Sequence, residues 1–382
     1  MAAMVQPEPF PTVHKLAREV GATWPGYELA VKRTVAAEQR LHEVLLSADV
    51  RGRPLGADAS LVLFGSFARR EMLDGSDYDW ALLLDGVVDN DHAVLGRRIE
   101  AALVRGKLKS PGSSGTFGNL VFSHDLVHRI GGGADSNANL TRRMLMLLES
   151  RPFSLSPADS ADPVWENVLG NILQRYFEED VHFAPSGRRT VPRFLLNDLT
   201  RYWRTVAVDY AAKHREQGGK KWAVRNAKLR FSRKLLFASG LAFCLSCQLD
   251  PPAANHENLF GMPPHPSADP FIARAKAFAR TPPLEYLAAF VDAFVLASPK
   301  RAMVVNRIFG SYDWWLGTMG DESTRTGLEA LDHGNAGADA VFQEIRTKGT
   351  EFARGLELLF FNRNRDDEQD TVARLALQYI GF

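Results

Sequence analysis

Apolar positions in the first long segment recur at helical spacing: Val31, Val35, Leu41, Leu45 and Leu46 fall on one face, with Lys32, Arg33, Glu38 and Glu43 among the charges between them, which predicts a helix over 27–47. Beyond the loop RGRPLGADA the apolar runs shorten and are bounded by turn residues. Ser60–Phe64 reads as a strand, Ser66–Met72 as a short helix, Leu73–Ser76 as a turn and Tyr78–Leu84 as a second strand. His92–Val104 reads as a further helix, and a third strand is expected at Asn119–Ser123 after the loop SPGSSGTFG. A glycine triplet, 131–133, precedes a helix expected at Asn139–Glu149.

From Pro163 the pattern becomes helical and stays so, in VWENVLGNILQRYFEED, RFLLNDLTRYWRTVAVDYAAKHRE, WAVRNAKLRFSRKLLFASGLAF, PLEYLAAFVDAFVLAS and DTVARLALQYI. The expected class is α+β: a small mixed sheet with helices, followed by a mainly helical domain. Three parts are expected, an N-terminal helical extension (1–55), a sheet-bearing domain (56–150) and a helical domain (151–382), the last boundary falling in SRPFSLSPADSADP, where Pro and Ser cluster. DHGNAGADA, 332–340, reads as an exposed loop.

Composition changes this picture little. With 45% apolar and 24% charged residues among 382, the chain should form an ordinary core. No run of eighteen uncharged apolar residues occurs, and the N-terminal stretch has neither the basic start nor the apolar run of a secretory signal; a cytoplasmic protein without a membrane partner is expected. Cys244 and Cys247 form a single C-x-x-C inside LLFASGLAFCLSC, which reads as buried helix rather than a zinc or redox site.

Charge is more informative in its distribution than in its sum. The net charge of +1 argues against a general nucleic-acid binder. Between Gly187 and Lys234, however, fourteen Lys and Arg meet three Asp and Glu, a local excess of +11, which leaves −10 on the rest of the chain. Such a segment suits phosphate groups or a large anionic partner.

Candidate chemistry concentrates in LVLFGSFARREMLDGSDYDWALLLDG, residues 61–86. Two aspartates, Asp77 and Asp79, stand at the start of an apolar run, where paired carboxylates cost free energy unless a cation neutralises them. Residues two apart in a strand project to one side, so the pair can share divalent ions. Magnesium accepts two carboxylates together with waters and substrate phosphates. Gly65 permits close backbone approach, Gly65 and Ser66 open a helix whose amides can meet a triphosphate, and Arg69 and Arg70 add charge.

The order strand, Gly-Ser, short helix, turn, Ser-Asp-x-Asp, strand resembles the signature of the nucleotidyltransferase superfamily that includes DNA polymerase beta, matched here by Gly65, Ser66, Asp77 and Asp79. GSFARREMLDGSDYDW is especially similar to bacterial uridylyl- and adenylyltransferases that modify proteins. The resemblance covers residues 60–86 well and the later helices loosely. It implies a nucleotidyltransferase sheet domain, two magnesium ions, with manganese as the alternative, held by Asp77 and Asp79, and an NTP substrate. It also implies a third acid from a later strand, for which Asp125 is the first candidate and Asp135 the second. Asp125 also suits a capping role, and His124 and His128 beside it could move a proton.

Further cations and amides could complete the pocket. Asn137, Asn139, Arg142 and Arg143 cluster at a helix start, Asn197, Arg201 and Arg204 share helical spacing, and Lys228 leads a basic run with Arg225, Arg230, Arg233 and Lys234. The nucleotide-binding set expected is Gly65, Ser66, Arg69, Asn137, Arg142, Arg201 and Lys228. Trp203, Trp222 and Phe231 suit either base stacking or the core. The expected activity is transfer of an NMP group from an NTP to a hydroxyl of a macromolecule, protein or RNA. The alternatives are a second-messenger synthase, an antibiotic nucleotidyltransferase, and a catalytically silent nucleotide-binding module.

Overall fold

Four strands form one mixed sheet in the order β3-β2-β1-β4: β1 (Ala59–Phe64), β2 (Trp80–Leu84), β3 (Asn119–Phe122) and β4 (Ser150–Pro152). The computed structural model describes residues 10–48, 58–112, 115–155, 162–181, 190–216, 221–249, 270–295, 298–361 and 371–380. β1 is antiparallel to both β2 and β4, whereas β3 lies parallel to β2, with Ala81 opposite Asn119 and Leu84 opposite Phe122. β1 and β2 are buried at every position because both faces of the sheet are covered, which is why their apolar runs are continuous rather than alternating.

One face, through Leu61, Leu63, Trp80 and Leu82, packs on Leu41 and Leu45 of α2 (Pro25–Ser47) and on Leu95 and Ile99 of α4 (Asn90–Arg105). The opposite face, through Val62, Phe64, Ala81, Leu83 and Val121, joins a larger core shared with the helical region. Ahead of α2 lies α1 (Pro11–Glu19), and between β1 and β2 the one-turn helix α3 (Gly65–Ala68). After β3 come α5 (Ser123–Val127) and α6 (Asn137–Leu148), so β4 follows α6 almost without a connection.

The helical region contains α7 (Pro163–Val181), α8 (Arg193–Glu216), α9 (Trp222–Arg230), α10 (Ser232–Ser246), α11 (Pro270–Arg280), α12 (Pro283–Phe294), α13 (Pro299–Val305), α14 (Ser311–Gly320), α15 (Glu322–Ala330), α16 (Ala340–Phe360) and α17 (Thr371–Ile380). The run 222–243, expected as one helix, breaks at Phe231, whose backbone leaves the helical region (φ −112°, ψ −84°) while its ring stacks on Trp315. Cys244 and Cys247 are buried, as expected of a core helix. Among the described residues, no helix is long and apolar enough to cross a membrane.

The N-terminal helices are tied to the far end of the chain. Glu285 accepts hydrogen bonds from the Thr12 and Val13 amides at the start of α1 (2.7 and 3.1 Å). α2 starts with Pro25, which needs no amide partner, and the next free amides are capped by Asp313, whose Oδ1 accepts from the Tyr27 N–H at 3.0 Å. The Tyr27 ring stacks on Tyr312, centroids 6.4 Å apart. Burial pushes the Asp313 carboxyl up to about 6, against the pull of these amides.

Candidate active site

The site is built where β1 ends and β2 begins. Antiparallel register brings Leu63 opposite Trp80, and the Phe64 amide donates to the Asp79 carbonyl at 2.8 Å, so Gly65 lies beside Asp79. Gly65 has φ +65°, and a Cβ there would stand 2.9 Å from Asp79 Oδ2. Glycine is therefore required for its backbone conformation, and a Cβ would in addition push aside the end of the Asp79 side chain. The helix expected at 66–72 lasts only through Ala68, because Arg70 adopts φ +62° and turns the chain away; the Ser66 hydroxyl meets Met72 Sδ at 3.3 Å.

Asp77 and Asp79 precede β2 rather than lying within it. Lys109 Nζ approaches Asp77 Oδ1 at 2.7 Å, yet that buried oxygen receives no aligned hydrogen bond. Among the described residues, no group donates to the Asp79 carboxylate. Burial, then the neighbouring charge of Asp77, pushes the Asp79 carboxyl up to about 6, with Lys228 and Arg233 opposing the rise. The turn before the pair is pinned by Arg325 of α15, which donates to the carbonyls of Asp74 (2.6 Å) and Gly75 (2.7 Å), and by Lys109, which donates to Gly75 at 3.0 Å.

Facing the carboxylates are α9 and α10. Lys228 of α9 is exposed at its surface, but the protein crowded around it, followed by Arg233, lowers its pKa, while Asp77 and Asp79 hold it up. Arg233 donates to Glu149 Oε1 at 2.9 Å. Glu149 also accepts from Arg69, Arg69 donates to Glu71 at 2.8 Å, and Glu71 accepts from the Tyr312 hydroxyl at 2.9 Å. A buried chain of charges thus runs beneath the Gly-Ser turn from α14 to α10.

The residues expected from sequence divide into those the fold brings together and those it does not. Gly65, followed by Ser66, lies against Asp79, and Asp77 and Asp79 are near enough to Lys228 to act on it electrostatically. Arg69 does not offer its charge to a ligand there: its guanidinium is buried and held between Glu71 and Glu149. Asp125 stands apart, because parallel pairing of β2 and β3 carries it beyond Phe122, at the end where β2 finishes, whereas Asp79 precedes the start of β2; at about 3.3 Å per residue the two ends lie roughly 15 Å apart or more. Asp125 pairs instead with Arg129 at 2.9 Å, and His124 and His128 share its helix. Asp135, the second candidate, is bound by both forks of Arg143 at 2.8 and 2.7 Å.

Asn137 is the first residue of α6, where Ser136 supplies the cap by accepting from the Asn139 amide. Arg142 donates to the Gly115 carbonyl at 3.3 Å and borders an apolar slot with Thr116, Phe117 and Phe64. Arg201 pairs with Asp198 at 2.7 Å. Phe231 belongs to the core, Trp203 packs on Phe237, and Trp222 packs on Phe342. Glu149, Arg233 and Lys109 gain importance that spacing alone does not convey. A buried glutamate ending the all-apolar run MLMLLE was the available signal, since an unpaired charge there would be intolerable.

Among the described residues, no three His, Cys, Asp or Glu side chains converge to hold a metal ion. The two aspartates nevertheless fit magnesium in its usual mode, with two carboxylates from the protein and the remaining positions taken by water and substrate phosphate. The Asp77 oxygen, met by Lys109 without an aligned hydrogen bond, and the Asp79 carboxylate, undonated among the described residues, are the atoms such an ion would satisfy. No family model matches the chain, and comparison with curated proteins and with solved structures finds no match either.

Proposed function

We propose that the chain is a magnesium-dependent nucleotidyltransferase that moves the NMP group of a nucleoside triphosphate to an acceptor hydroxyl and releases pyrophosphate. The observation that carries this reading is the Asp77–Asp79 pair, drawn together beside a positive-φ glycine, lacking hydrogen-bond donors on Asp79, and faced by Lys228. Asp77 and Asp79 would hold the metal, which when bound neutralises phosphate charge and activates the attacking oxygen. In the reaction the acceptor oxygen bonds to the α-phosphorus as the α–β bridging P–O bond breaks. Negative charge then grows on the departing pyrophosphate, and Lys228 is the cation available to it. Gly65 keeps the phosphate approach open beside Asp79.

A macromolecular acceptor rests on the +11 segment. Part of that charge is already matched within the fold, by Asp198 for Arg201, Glu329 for Lys221 and Glu149 for Arg233. A second reading, nucleotide binding without turnover, is favoured by the separation of Asp125 from the pair. One experiment addresses both: incubate the protein with each α-labelled NTP, magnesium or manganese, and cell extract, and follow label and pyrophosphate. Label in a protease- or ribonuclease-sensitive macromolecule is expected. Label in a small nucleotide points to a signal synthase, and label on an added aminoglycoside to a resistance enzyme. Nucleotide binding without pyrophosphate from any NTP establishes the silent module in place of the transferase.

A further inference from the structure

The helix that passes from α13 into α14 contains a π-helical turn, Asn306–Gly310, a widened geometry that recurs at functional sites. α16 crosses it backbone to backbone: a Cβ on Gly355 would stand 2.8 Å from Ile308 Cγ1 and 2.9 Å from Arg307 Cβ. Beside the crossing opens a surface cavity of about 540 Å³, lined by Asn306, Arg307, Ser311, Lys348, Glu351 and Arg354. Three cations and one carboxylate therefore share a single concavity. Lys348 donates to Glu351 at 2.9 Å, and the Ser311 hydroxyl reaches the same oxygen at 3.4 Å. Among the described residues, Arg307 and Arg354 make no hydrogen bond or ion pair. Arg69, Arg143 and Arg301, by contrast, each meet a carboxylate.

We infer that this cavity is an oligophosphate-binding site, taking pyrophosphate or the phosphate chain of a nucleotide. Two guanidinium forks without partners among the described residues present the planar donor sets that match phosphate oxygens, and the net local charge of two positives suits an anion carrying more than one charge. The volume is that of an ordinary small-molecule pocket, and Asn306 and Ser311 add neutral polar groups at its wall. The site uses none of the residues of the Asp77–Asp79 cleft and stands whether or not that cleft is catalytic.

The test is calorimetric titration of magnesium-free protein with pyrophosphate and, separately, with ATP. It compares wild type, Lys228→Glu, which removes the cation of the cleft, and the double variant Arg307→Glu/Arg354→Glu. Lys228→Glu is expected to keep an oligophosphate site, and the double variant to lose at least about tenfold in its affinity, since each fork supplies charge-assisted hydrogen bonds. ATP binding equal to pyrophosphate means that the phosphate chain alone is read; tighter ATP binding means that the wall groups read the nucleoside as well. A thermal melt confirms that the double variant is folded, and Arg307→Ala/Arg354→Ala replaces it if it is not. The inference is overturned if wild type binds neither ligand, if Lys228→Glu abolishes all binding, or if removing both arginines leaves affinity unchanged.

Discussion

Arg143 and Asp79 sit in clusters made from the same residue types and wired in opposite ways. Around Arg143 the charges close on themselves: both forks meet Asp135, Nε meets the Tyr176 hydroxyl at 3.2 Å, and Asp198 accepts from Tyr176 and Arg201 at 2.7 Å each. Each buried charge has its partner at hydrogen-bond distance, as a structural network must. At Asp79 the nearest ionic groups act through space, the carboxyl has no donor among the described residues, and its neighbour Asp77 repels it. A buried acid wired in this way either takes up a proton, as its raised pKa reflects, or is compensated by an arriving cation, and the second is what the proposed function requires.

The comparison can be broken at either end. Asp79→Asn should lower NMP transfer by at least about a thousandfold in a pyrophosphate-release assay, because the charge that would hold the metal is gone while side-chain volume stays the same. The same variant should melt no lower than wild type without metal, as it relieves repulsion. In contrast, Arg143→Ala should destabilise the fold by about 3–5 kcal/mol in denaturant titration, leaving the Asp135 carboxylate buried without its cation and Asp198 with Arg201 alone. A fall of that size for Asp79→Asn, or none for Arg143→Ala, would reverse the two assignments.

Smaller effects sharpen the same contrast. Gly65→Ala should cost about 1–2 kcal/mol through its left-handed backbone. Its loss of transfer should exceed that, because the new Cβ displaces the Asp79 carboxylate. Equal losses of stability and activity would mean that the glycine serves only the turn. Asp79 and Asp313 both have folded-state pKa values raised to about 6, so the native protein holds more protons than the unfolded chain between about pH 4 and pH 6. Metal-free stability should fall by up to about 3 kcal/mol per group as pH rises through that window and level off above it. Asp79→Asn should flatten the fall, and an unchanged profile would contradict the assignment. Asp125→Asn, in an exposed ion pair away from the cleft, should change transfer and stability by less than about 0.5 kcal/mol. A large loss of rate would return Asp125 to the site.

Local pattern carried the strands of the opening motif, most long helices, and the pairing of Gly-Ser with Asp-x-Asp, because those follow from apolar runs and from residues close in sequence. It did not carry β4, a strand of three residues that carries no apolar run of its own and owes its place to Phe64 opposite Ser150. Neither did it carry the fate of Asp125: a carboxylate after an apolar strand reads the same whether that strand runs parallel or antiparallel to β2, and only the strand's direction decides which end of the sheet it reaches. Arg69 looked free for phosphate because both of its carboxylate partners depend on tertiary packing, Glu149 from 80 residues away and Glu71 through a tightened turn. The closure of α1 and α2 onto Glu285 and Asp313 is long-range in the same sense.

The central claim is that Asp77 and Asp79 form a metal–nucleotide site, and manganese binding followed by electron paramagnetic resonance tests it most directly. With only two carboxylates from the described residues, manganese should bind weakly to the protein alone and much more tightly once a non-hydrolysable NTP supplies phosphate oxygens. Asp79→Asn should remove the tight class of sites while the folded protein persists. Manganese binding that ignores the nucleotide, or that survives Asp79→Asn unchanged, would contradict the account.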